Sequence, residues 1–534
     1  MMAWGQILLT AILLAFWPIT PAFAEELPPL SAIDWLSNSV TTVDGSQGGG
    51  ALGTQVLAAP LIAVTRLEFY KHDGLGLLPP RITGLPQYLW GSGFSSDIKN
   101  LIAQVKKPNL PAAQSFFIQL LLAETSAPHD STGEATLLTA RIDRLLEMGA
   151  LEQAEGLINL VPVKSPALFR RSFDMALLTG HEEMACQTMR AAPMLAPTYM
   201  ARIFCLARDG DWAAAAITLR ASQGLGLLSA EQDAILNRFL DADLTDLDLP
   251  LSTPSRPSPL IWRLFEAIGE PLATQSLPLA FAHADLRIQS GYKAQLEAAE
   301  RLAKAGVLSP NLLLGLYSDG APATSGGVWD RVAAFQKFES AITNKNTDEI
   351  AQQLPIFWSQ MKIAGLEVPF ANIYARRLAS FTLPEPTATL AFHVMLLSDA
   401  AAQIAQLRIP QSEFEALLIA IATGTINQDP FLLEQPSFLP KKTPATVSET
   451  QSLTIFQKAV GGAFSRPILT DDLQSLVDQS RTGEAILRAL DLIYRGANGD
   501  SAALRTGISL FYLIGQQDTA RQIALQALLL ERRS

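Results

Sequence analysis

The chain has 534 residues, of which 49% are hydrophobic and 17% are charged, and this composition excludes global disorder. A chain of this length exceeds what one hydrophobic core normally organises, so several domains or one long solenoid are expected. The net charge of −11 argues against general nucleic-acid binding, because the neutralisation of phosphates requires a basic surface.

The N-terminus has the pattern of a cleaved signal peptide. Residues 7–17 form an apolar run that is too short to span a bilayer, and two prolines follow it. Ala22 and Ala24 then place small residues before Glu25, so residues 1–24 are predicted to be removed by cleavage between Ala24 and Glu25. Since no Lys or Arg precedes the apolar run, a buried or membrane-anchoring N-terminal helix is the alternative.

The mature chain is expected in the periplasm or outside the cell. No cysteine follows the cleavage site directly, which disfavours a lipid anchor. No later stretch reaches about 18 uninterrupted apolar residues, so stable membrane insertion after cleavage is not expected.

The region before the first helices is predicted to be irregular. Residues 25–55 are interpreted as a flexible segment with a Gly-rich linker, and residues 56–95 as a loop-rich segment. The GxGxxG spelling at 48–53 follows no predicted strand, so it is interpreted as linker and not as a nucleotide-binding loop. Residues 64–69 alternate as a single strand would. Tyr88 and Trp90 are expected to pack on the first helices, with a ligand-stacking site as the alternative.

A repeated pattern organises residues 131–240, after predicted helices at 96–106 and 112–124. Gly149, Gly180 and Gly210 are spaced 31 and 30 residues apart. A glycine just past a helix end can adopt the left-handed conformation that lets the chain reverse. An alanine follows each glycine by five residues and would permit a close helix crossing. These alanines are Ala154, Ala185 and Ala215. Repetition at this period predicts stacked helical hairpins.

Two of these units resemble tetratricopeptide repeats, whose second helix opens with glycine, any residue, an aromatic residue or leucine, two residues and alanine. Residues 149–154 and 210–215 match this pattern, whereas Glu182 takes the aromatic or leucine position in the middle unit. The resemblance implies an all-α fold, an α-solenoid of stacked helical hairpins with a short irregular N-terminal segment.

The order of the whole chain is also similar to an uncharacterised family of secreted bacterial proteins. Some of its members carry the automatic label antifreeze glycopeptide polyprotein. The tandem Ala-Ala-Thr repeats that this label would require do not occur in the sequence, so the label implies no mechanism.

Proline-bearing stretches predict the domain boundaries. An acidic, Pro-rich linker at 241–259 would separate the repeat array at 96–240 from a second helical domain at 260–428. A linker at 429–447 would precede a C-terminal helical block at 448–534, in which Gly515 and Ala520 repeat the spacing of the array. Within these regions further helices are predicted at 131–148, from 229, and at 260–268, 293–305, 328–343, 347–364, 373–380, 387–406 and 412–422.

The ionisable residues form no recognisable catalytic motif. The chain has five scattered histidines. His181 is interpreted as a helix-start residue, and residues 283–285 as a solvated or locally hydrogen-bonded turn in preference to a metal site. No Gly-x-Ser-x-Gly sequence and no Gly-Lys dipeptide occurs, which argues against a hydrolase elbow and a Walker loop. No catalytic residue, metal or cofactor is therefore predicted.

The predicted function is that of a non-enzymatic scaffold that binds an envelope protein or a cell-wall component with the concave surface of its hairpins. Arg170, Asp174 and Arg208 are the candidate binding residues, because the first helices of successive repeats would present them on that surface. The alternative is a peptidoglycan-acting enzyme that resembles the soluble lytic transglycosylases, with a divergent site within residues 260–426.

Cys186 and Cys205, the only cysteines of the chain, are predicted to form a disulfide bond. Export would place them in an oxidising compartment, where thiols tend to pair. They should lie at the same height on facing helices, because they are equally distant from the centre of the turn at 193–197. Two buried thiols are the alternative if the helices point the sulfurs apart.

Overall fold

The computed structural model of the protein describes residues 71–132, 134–161, 165–241, 251–427 and 453–530. This part of the chain is all-helical and has no β-strand, and its one isolated bridge joins Leu78 and Ala123. No helix within these ranges is long and apolar enough to cross a membrane. The predicted signal peptide, the segment at 25–55, the strand at 64–69 and the linker at 429–447 lie outside the described residues.

The α-helices follow one another with short connections. The helices before the predicted linker at 241–259 are α1 (Pro80–Thr83), α2 (Ser95–Gln104), α3 (Pro111–Leu122), α4 (Thr136–Glu147), α5 (Leu151–Asn159), α6 (Pro166–Thr179), α7 (Glu182–Ala191), α8 (Tyr199–Arg208), α9 (Trp212–Gly224) and α10 (Ala230–Leu240). Those of the middle region are α11 (Pro259–Ala267), α12 (Ala282–Asp285), α13 (Tyr292–Lys304), α14 (Pro310–Asp319), α15 (Val328–Thr343), α16 (Thr347–Ala364), α17 (Glu367–Leu378), α18 (Thr387–Met395), α19 (Ala401–Ala405) and α20 (Glu413–Thr423). The last ones are α21 (Ile455–Ser465), α22 (Asp471–Asp478), α23 (Thr482–Ala497), α24 (Ser501–Leu513) and α25 (Gln517–Leu529).

The three predicted turns of the array have one geometry. Gly149, Gly180 and Gly210 have φ values of +77°, +82° and +86°. After each glycine, the next amide donates a hydrogen bond to the carbonyl five residues earlier, which satisfies one of the last carbonyls of the helix. These bonds are Ala150 to Leu145 (2.8 Å), His181 to Ala176 (2.9 Å) and Asp211 to Leu206 (3.0 Å). The alanine five residues after each glycine is buried in all three units, as the sequence predicts.

The same turn recurs after the third unit of the array, at positions that show no regular period in the sequence. Equivalent hydrogen bonds follow left-handed glycines at 226, 269, 306, 365, 499 and 515. Lys345 and Ser480 adopt the left-handed conformation in two further turns of this type, although neither is a glycine. Two of the eight turns therefore carry no glycine, which hides the repetition from a search based on glycine spacing.

Several helix boundaries agree with the predictions and others do not. Helices α15 and α16 have the predicted bounds, and Ser229 and Gln232 form a reciprocal capping box before α10. The helix predicted at 373–380 begins earlier, at Glu367. The start at Ser131 that is predicted for the helix at 131–148 is also wrong. Helix α4 begins at Thr136, and the hydroxyl of Ser131 donates instead to Asp73 at 2.6 Å.

The single helix predicted at 387–406 is also wrong, because α18 and α19 are separate helices. Ser398 lies between them and uses its side chain for local hydrogen bonds. Its hydroxyl donates to the carbonyl of Met395 and accepts from the amide of Ala400. Such side-chain bonds compete with the helical backbone ladder.

The first described helices pack against the last ones. Helix α3 contacts α25 and helix α2 contacts α23. The amide of Ala112 donates to Oε1 of Gln526 at 2.8 Å, and the amide of Gly483 donates to the carbonyl of Leu89 at 2.8 Å. The described residues belong to one compact unit, and these contacts go beyond the nearest-neighbour packing of a simple repeat array.

The aromatic pair at 88 and 90 is divided between core and solvent. Trp90 is buried, and its indole N–H donates to the hydroxyl of Thr125 at 3.2 Å. Its ring lies against Gly483 at the start of α23, so it packs on a C-terminal helix in addition to the first ones. Tyr88 is exposed. The expectation that both rings pack on the first helices is thus wrong for Tyr88.

Packing also continues across the predicted linker at 241–259. One hydrophobic cluster joins residues of α6 to α10 with Leu260, Leu264 and Phe265 of α11. Helix α11 contacts both α6 and α10. This packing brings the residues that follow the linker against the repeat array.

Candidate functional site

Residues 279–287 lie along the first two turns of the array. At the first turn, a Cβ placed on Gly149 would be only 2.8 Å from Cγ of Leu279. Nε2 of His283 lies 2.7 Å from the carbonyl oxygen of Gly149 and donates to it. Burial lowers the pKa of His283 and so favours the neutral form of the ring, while the bond to Gly149 opposes that shift. His283, which the sequence predicts to lie in a solvated or locally hydrogen-bonded turn, therefore makes a long-range contact with the array.

The second turn is covered by Arg287. A Cβ placed on Gly180 would be 3.2 Å from Cδ of Arg287, so the aliphatic part of this side chain lies over the glycine. Its guanidinium donates to Oε1 of Glu266 at 2.6 Å and lies 5.3 Å from the ring centroid of Trp262. Leu279 lies in a 3-10 turn, His283 in the short helix α12, and Arg287 two residues after the end of that helix.

Glu182 lies next to this second turn and is buried, although the matching residue of the first unit is the leucine Leu151. Arg263 donates to its Oε1 at 2.6 Å and Arg208 donates to the same atom at 3.2 Å. Burial opposes ionisation of Glu182, but the hydrogen bond from Arg263 and the other favourable contacts outweigh it, so its pKa is lowered. Where the second unit departs from the tetratricopeptide pattern, buried Glu182 thus forms two ion pairs, which link α7 to α8 and to α11.

The three predicted binding residues differ in their contacts. Arg208 contacts Glu182, as described above. Arg170 and Asp174 lie one turn apart on α6, and the described residues supply no hydrogen-bond partner for Oδ2 of Asp174 or Nε of Arg170. Burial raises the pKa of Asp174 to about 7, against the opposing effect of Arg170 and Arg171. Neither Arg170 nor Asp174 takes part in the ion pair of Arg208 with Glu182.

The third turn of the array is open. No described residue comes within 4 Å of a Cβ placed on Gly210. The side chain of Arg208 before it is 51% exposed, and Trp212 after it is 52% exposed. Asp211 caps α9, since its Oδ1 accepts from the amide of Ala214 at 3.0 Å. The third unit thus exposes a surface that the chain covers in the first two.

A cavity of about 490 Å³ lies between α10, residues 251–254 and α11. Ala230 and Ala234, both exposed and one helical turn apart, line one side, while Ile235 and Phe265 are buried beneath it. The other lining residues are Ser229, Glu231, Gln232, Asn237, Arg238, Leu251, Ser252, Pro254 and Ile261. Its lining is largely apolar, with a few amide, hydroxyl and charged groups, which is typical of binding sites.

Cys186 and Cys205 form a disulfide bond, as the sequence predicts. Their Cα atoms are 5.1 Å apart, and the bond joins α7 to α8 within the hydrophobic cluster of the second and third units. Glu182 lies one turn before Cys186, and Arg208 lies about one turn after Cys205. The disulfide therefore holds together the two helices that carry the Glu182–Arg208 contact.

Sequence reasoning missed the role of Arg287 and the pairing of Glu182 with Arg263 and Arg208. One signal could have indicated the pairing of Glu182: a charged residue at a position that is apolar in the matching unit requires a buried partner of opposite charge. In the part of the chain that the structure describes, no group of three His, Cys, Asp or Glu side chains could hold a metal ion.

In comparisons with known proteins, no family model, no curated protein and no solved structure matches the chain.

Proposed function

We propose that this protein is an exported, non-enzymatic helical-repeat scaffold that binds a partner protein of the cell envelope. The observation that carries this proposal is the apolar cavity between α10 and α11. Its volume falls within the range of about 300 to 1,000 Å³ that is usual for ligand sites. Ile235, Leu251 and Phe265 line it, so it suits apolar side chains of a protein better than a glycan strand, which would require many hydrogen-bonding groups.

Export is supported by the signal-peptide pattern of residues 1–24 and by the disulfide between Cys186 and Cys205. The recurrence of one hairpin turn supports a tetratricopeptide-like organisation of the array. N-terminal sequencing of the mature protein should begin at Glu25. Recovery of an intact Met1 or Met2 terminus in the membrane fraction would contradict export with cleavage.

The binding site is tested by filling the cavity from its exposed side. Ala234→Trp adds an indole at a residue that lines the cavity but is not part of the buried core. Ala103→Trp is the matched control, because Ala103 is an exposed alanine of α2 and does not line the cavity. Both variants should fold with unchanged circular dichroism.

Affinity capture from envelope extract should recover the same partner with the wild type and with Ala103→Trp, and lose it with Ala234→Trp. The purified partner should then bind the Ala234→Trp protein at least about tenfold more weakly, the loss expected when one apolar contact of about 1.4 kcal/mol is removed. Equal binding by both variants would exclude the cavity as the binding site. Release of soluble muropeptides from purified peptidoglycan by the wild type would contradict a non-enzymatic function.

A further inference from the structure

The three turns of the array provide the same backbone surface. Gly149, Gly180 and Gly210 have the same left-handed conformation, and the amide after each donates to the carbonyl five residues earlier. As glycines, they place no side chain of their own over the turn. Each turn therefore presents a bare glycine with the start of the next helix beside it. A segment that fits one turn has a chemically similar surface at the next.

The chain itself shows which side chains fit. His283 donates to the carbonyl of Gly149, beside Leu279, which covers that glycine. The aliphatic stem of Arg287 lies over Gly180, and Arg263 donates to Glu182 next to it. At the first turn, the apolar contact and the N–H donor come from two residues. At the second, one side chain supplies both, because the stem of Arg287 covers Gly180 and its guanidinium donates to Oε1 of Glu266 at 2.6 Å. Arginine and lysine each combine a long apolar stem with a donor in one side chain.

The segment at 279–287 contacts the first two turns and does not continue to the third one. After Arg287 the backbone bends, and α13 begins at Tyr292. Ile288, the residue after Arg287, is 94% exposed. At the third turn, Asp211 offers a carboxylate next to Gly210, and the half-exposed ring of Trp212 offers a face to which a cation is attracted. This surface is continuous with the intramolecular interface through Arg208, which reaches back to Glu182.

We propose that the turn at Gly210 is a docking site for a helical segment of a partner protein that presents an arginine or lysine side chain. The basic side chain would lie over Gly210 with its stem and donate to the carboxylate of Asp211, beside Trp212. This site is distinct from the cavity between α10 and α11, and the inference stands on different residues.

The test uses the mature full-length protein and a blocked synthetic peptide that copies residues 278–290. The first two turns of the array are occupied in the intact protein. Other left-handed glycines, at 226, 269, 499 and 515, are as uncovered as Gly210, but among these turns only Gly210 is followed by an acidic residue and then an aromatic one. Binding of the fluorescently labelled peptide is followed by anisotropy. A second peptide, with alanine in place of His283 and Arg287, lacks both basic side chains and should bind about tenfold more weakly.

Asp211→Asn removes the charge and keeps the helix cap, because asparagine caps helices as well as aspartate does. This variant should bind the first peptide about tenfold more weakly than the wild type. Asp500→Asn is the matched control. Asp500 also follows a left-handed glycine and caps a helix through the amide of Ala503, but Ser501 replaces the tryptophan. It should leave binding unchanged.

A photoreactive group at the Leu279 position of the peptide shows where it binds. Cross-links to residues 208–217 support the proposal. Cross-links to the turns at Gly149 or Gly180 would mean that the peptide displaces residues 279–287, and would overturn it. So would absence of saturable binding, or equal losses of affinity in the Asp211→Asn and Asp500→Asn proteins. None of these outcomes bears on the Ala234→Trp experiment, which tests the cavity alone.

Discussion

The turns at Gly149 and Gly210 have nearly the same φ and the same closing hydrogen bond, but their surroundings differ. Leu279 and His283 contact the first turn, whereas no described residue reaches a Cβ placed on Gly210 within 4 Å. The residues that shape each hairpin are close to it in sequence. Those that cover the first turn are about 130 residues away. A hairpin and its covering are thus specified by different parts of the chain.

The contrast extends into the first helix of each unit. Arg141 lies eight residues before Gly149 and is buried, whereas Arg202, eight residues before Gly210, is exposed. The guanidinium of Arg141 donates to four backbone carbonyls, those of Asp73, Leu75, Leu121 and Ala123. Burial lowers the pKa of Arg141 to about 10, while Asp73 acts in the opposite direction. One arginine therefore ties three chain segments together, and the other does not.

The largest expected effect comes from removing this buried guanidinium. Arg141→Met should lower the free energy of unfolding by about 3 to 5 kcal/mol, because it leaves buried carbonyls without their donor. Arg202→Met, at the matching position of the third unit, should change it by less than about 0.5 kcal/mol. Denaturant unfolding of the two variants measures the difference. Equal losses of stability would contradict the structure, because they would show that the arginine is equally important in the first and third units.

The disulfide joins the second unit to the third. Replacing both Cys186 and Cys205 by alanine should lower the free energy of unfolding by roughly 3 kcal/mol, since the bond closes a loop with a sequence separation of 19 residues. Mass spectrometry of the non-reduced, unfolded protein checks the bond directly. Alkylation of two thiols without reductant would exclude it, and denaturant unfolding with and without reductant provides the energetic comparison.

The buried alanines test what the units share. Ala154→Leu and Ala215→Leu should each destabilise by about 1 to 3 kcal/mol, because both residues have no exposed surface and a larger side chain would overpack the helix crossing. Ala213→Leu on the exposed side of α9 and Glu152→Ala on α5 are the controls and should have little effect. Unchanged thermal unfolding of the two alanine variants would show that the repeat phasing is wrong.

What could be predicted from the sequence depended on residues close together in the chain. The turn after Gly149 is determined within about six residues, and so is the burial of Ala154 five residues later. The disulfide followed from the same local phasing. The helix α14 was not predicted. It begins with Pro310, which is well suited to a first helical turn, and it contains Gly315, a poor helix former.

The candidate site was less predictable, because its contacts join residues that are distant in the chain. Arg263 reaches Glu182 across 81 residues, and no local pattern announces that pairing. The predicted concave-face residues were chosen from helix periodicity alone. Periodicity fixes which side of a helix a residue occupies, but not which other segment packs there. Arg208, for example, forms its ion pair with Glu182, a residue that was not among the predicted ones.

The smallest expected effect measures the contact of Leu279 with the first turn. Gly149→Ala and Gly210→Ala should both cost about 1 kcal/mol, because alanine is strained at positive φ. Gly149→Ala should cost about 1 to 2 kcal/mol more, since its Cβ would lie 2.8 Å from Cγ of Leu279 and the contact would be overpacked. Leu279→Ala should remove this additional cost in a double mutant and leave the cost of Gly210→Ala unchanged. Denaturant unfolding of the five variants, three single and two double mutants, completes the cycle. If both glycine variants lost the same stability with and without Leu279, the segment at 279–287 would not lie against the first turn in solution. An additional cost that disappears with Leu279 would show that this segment covers the first turn but not the third.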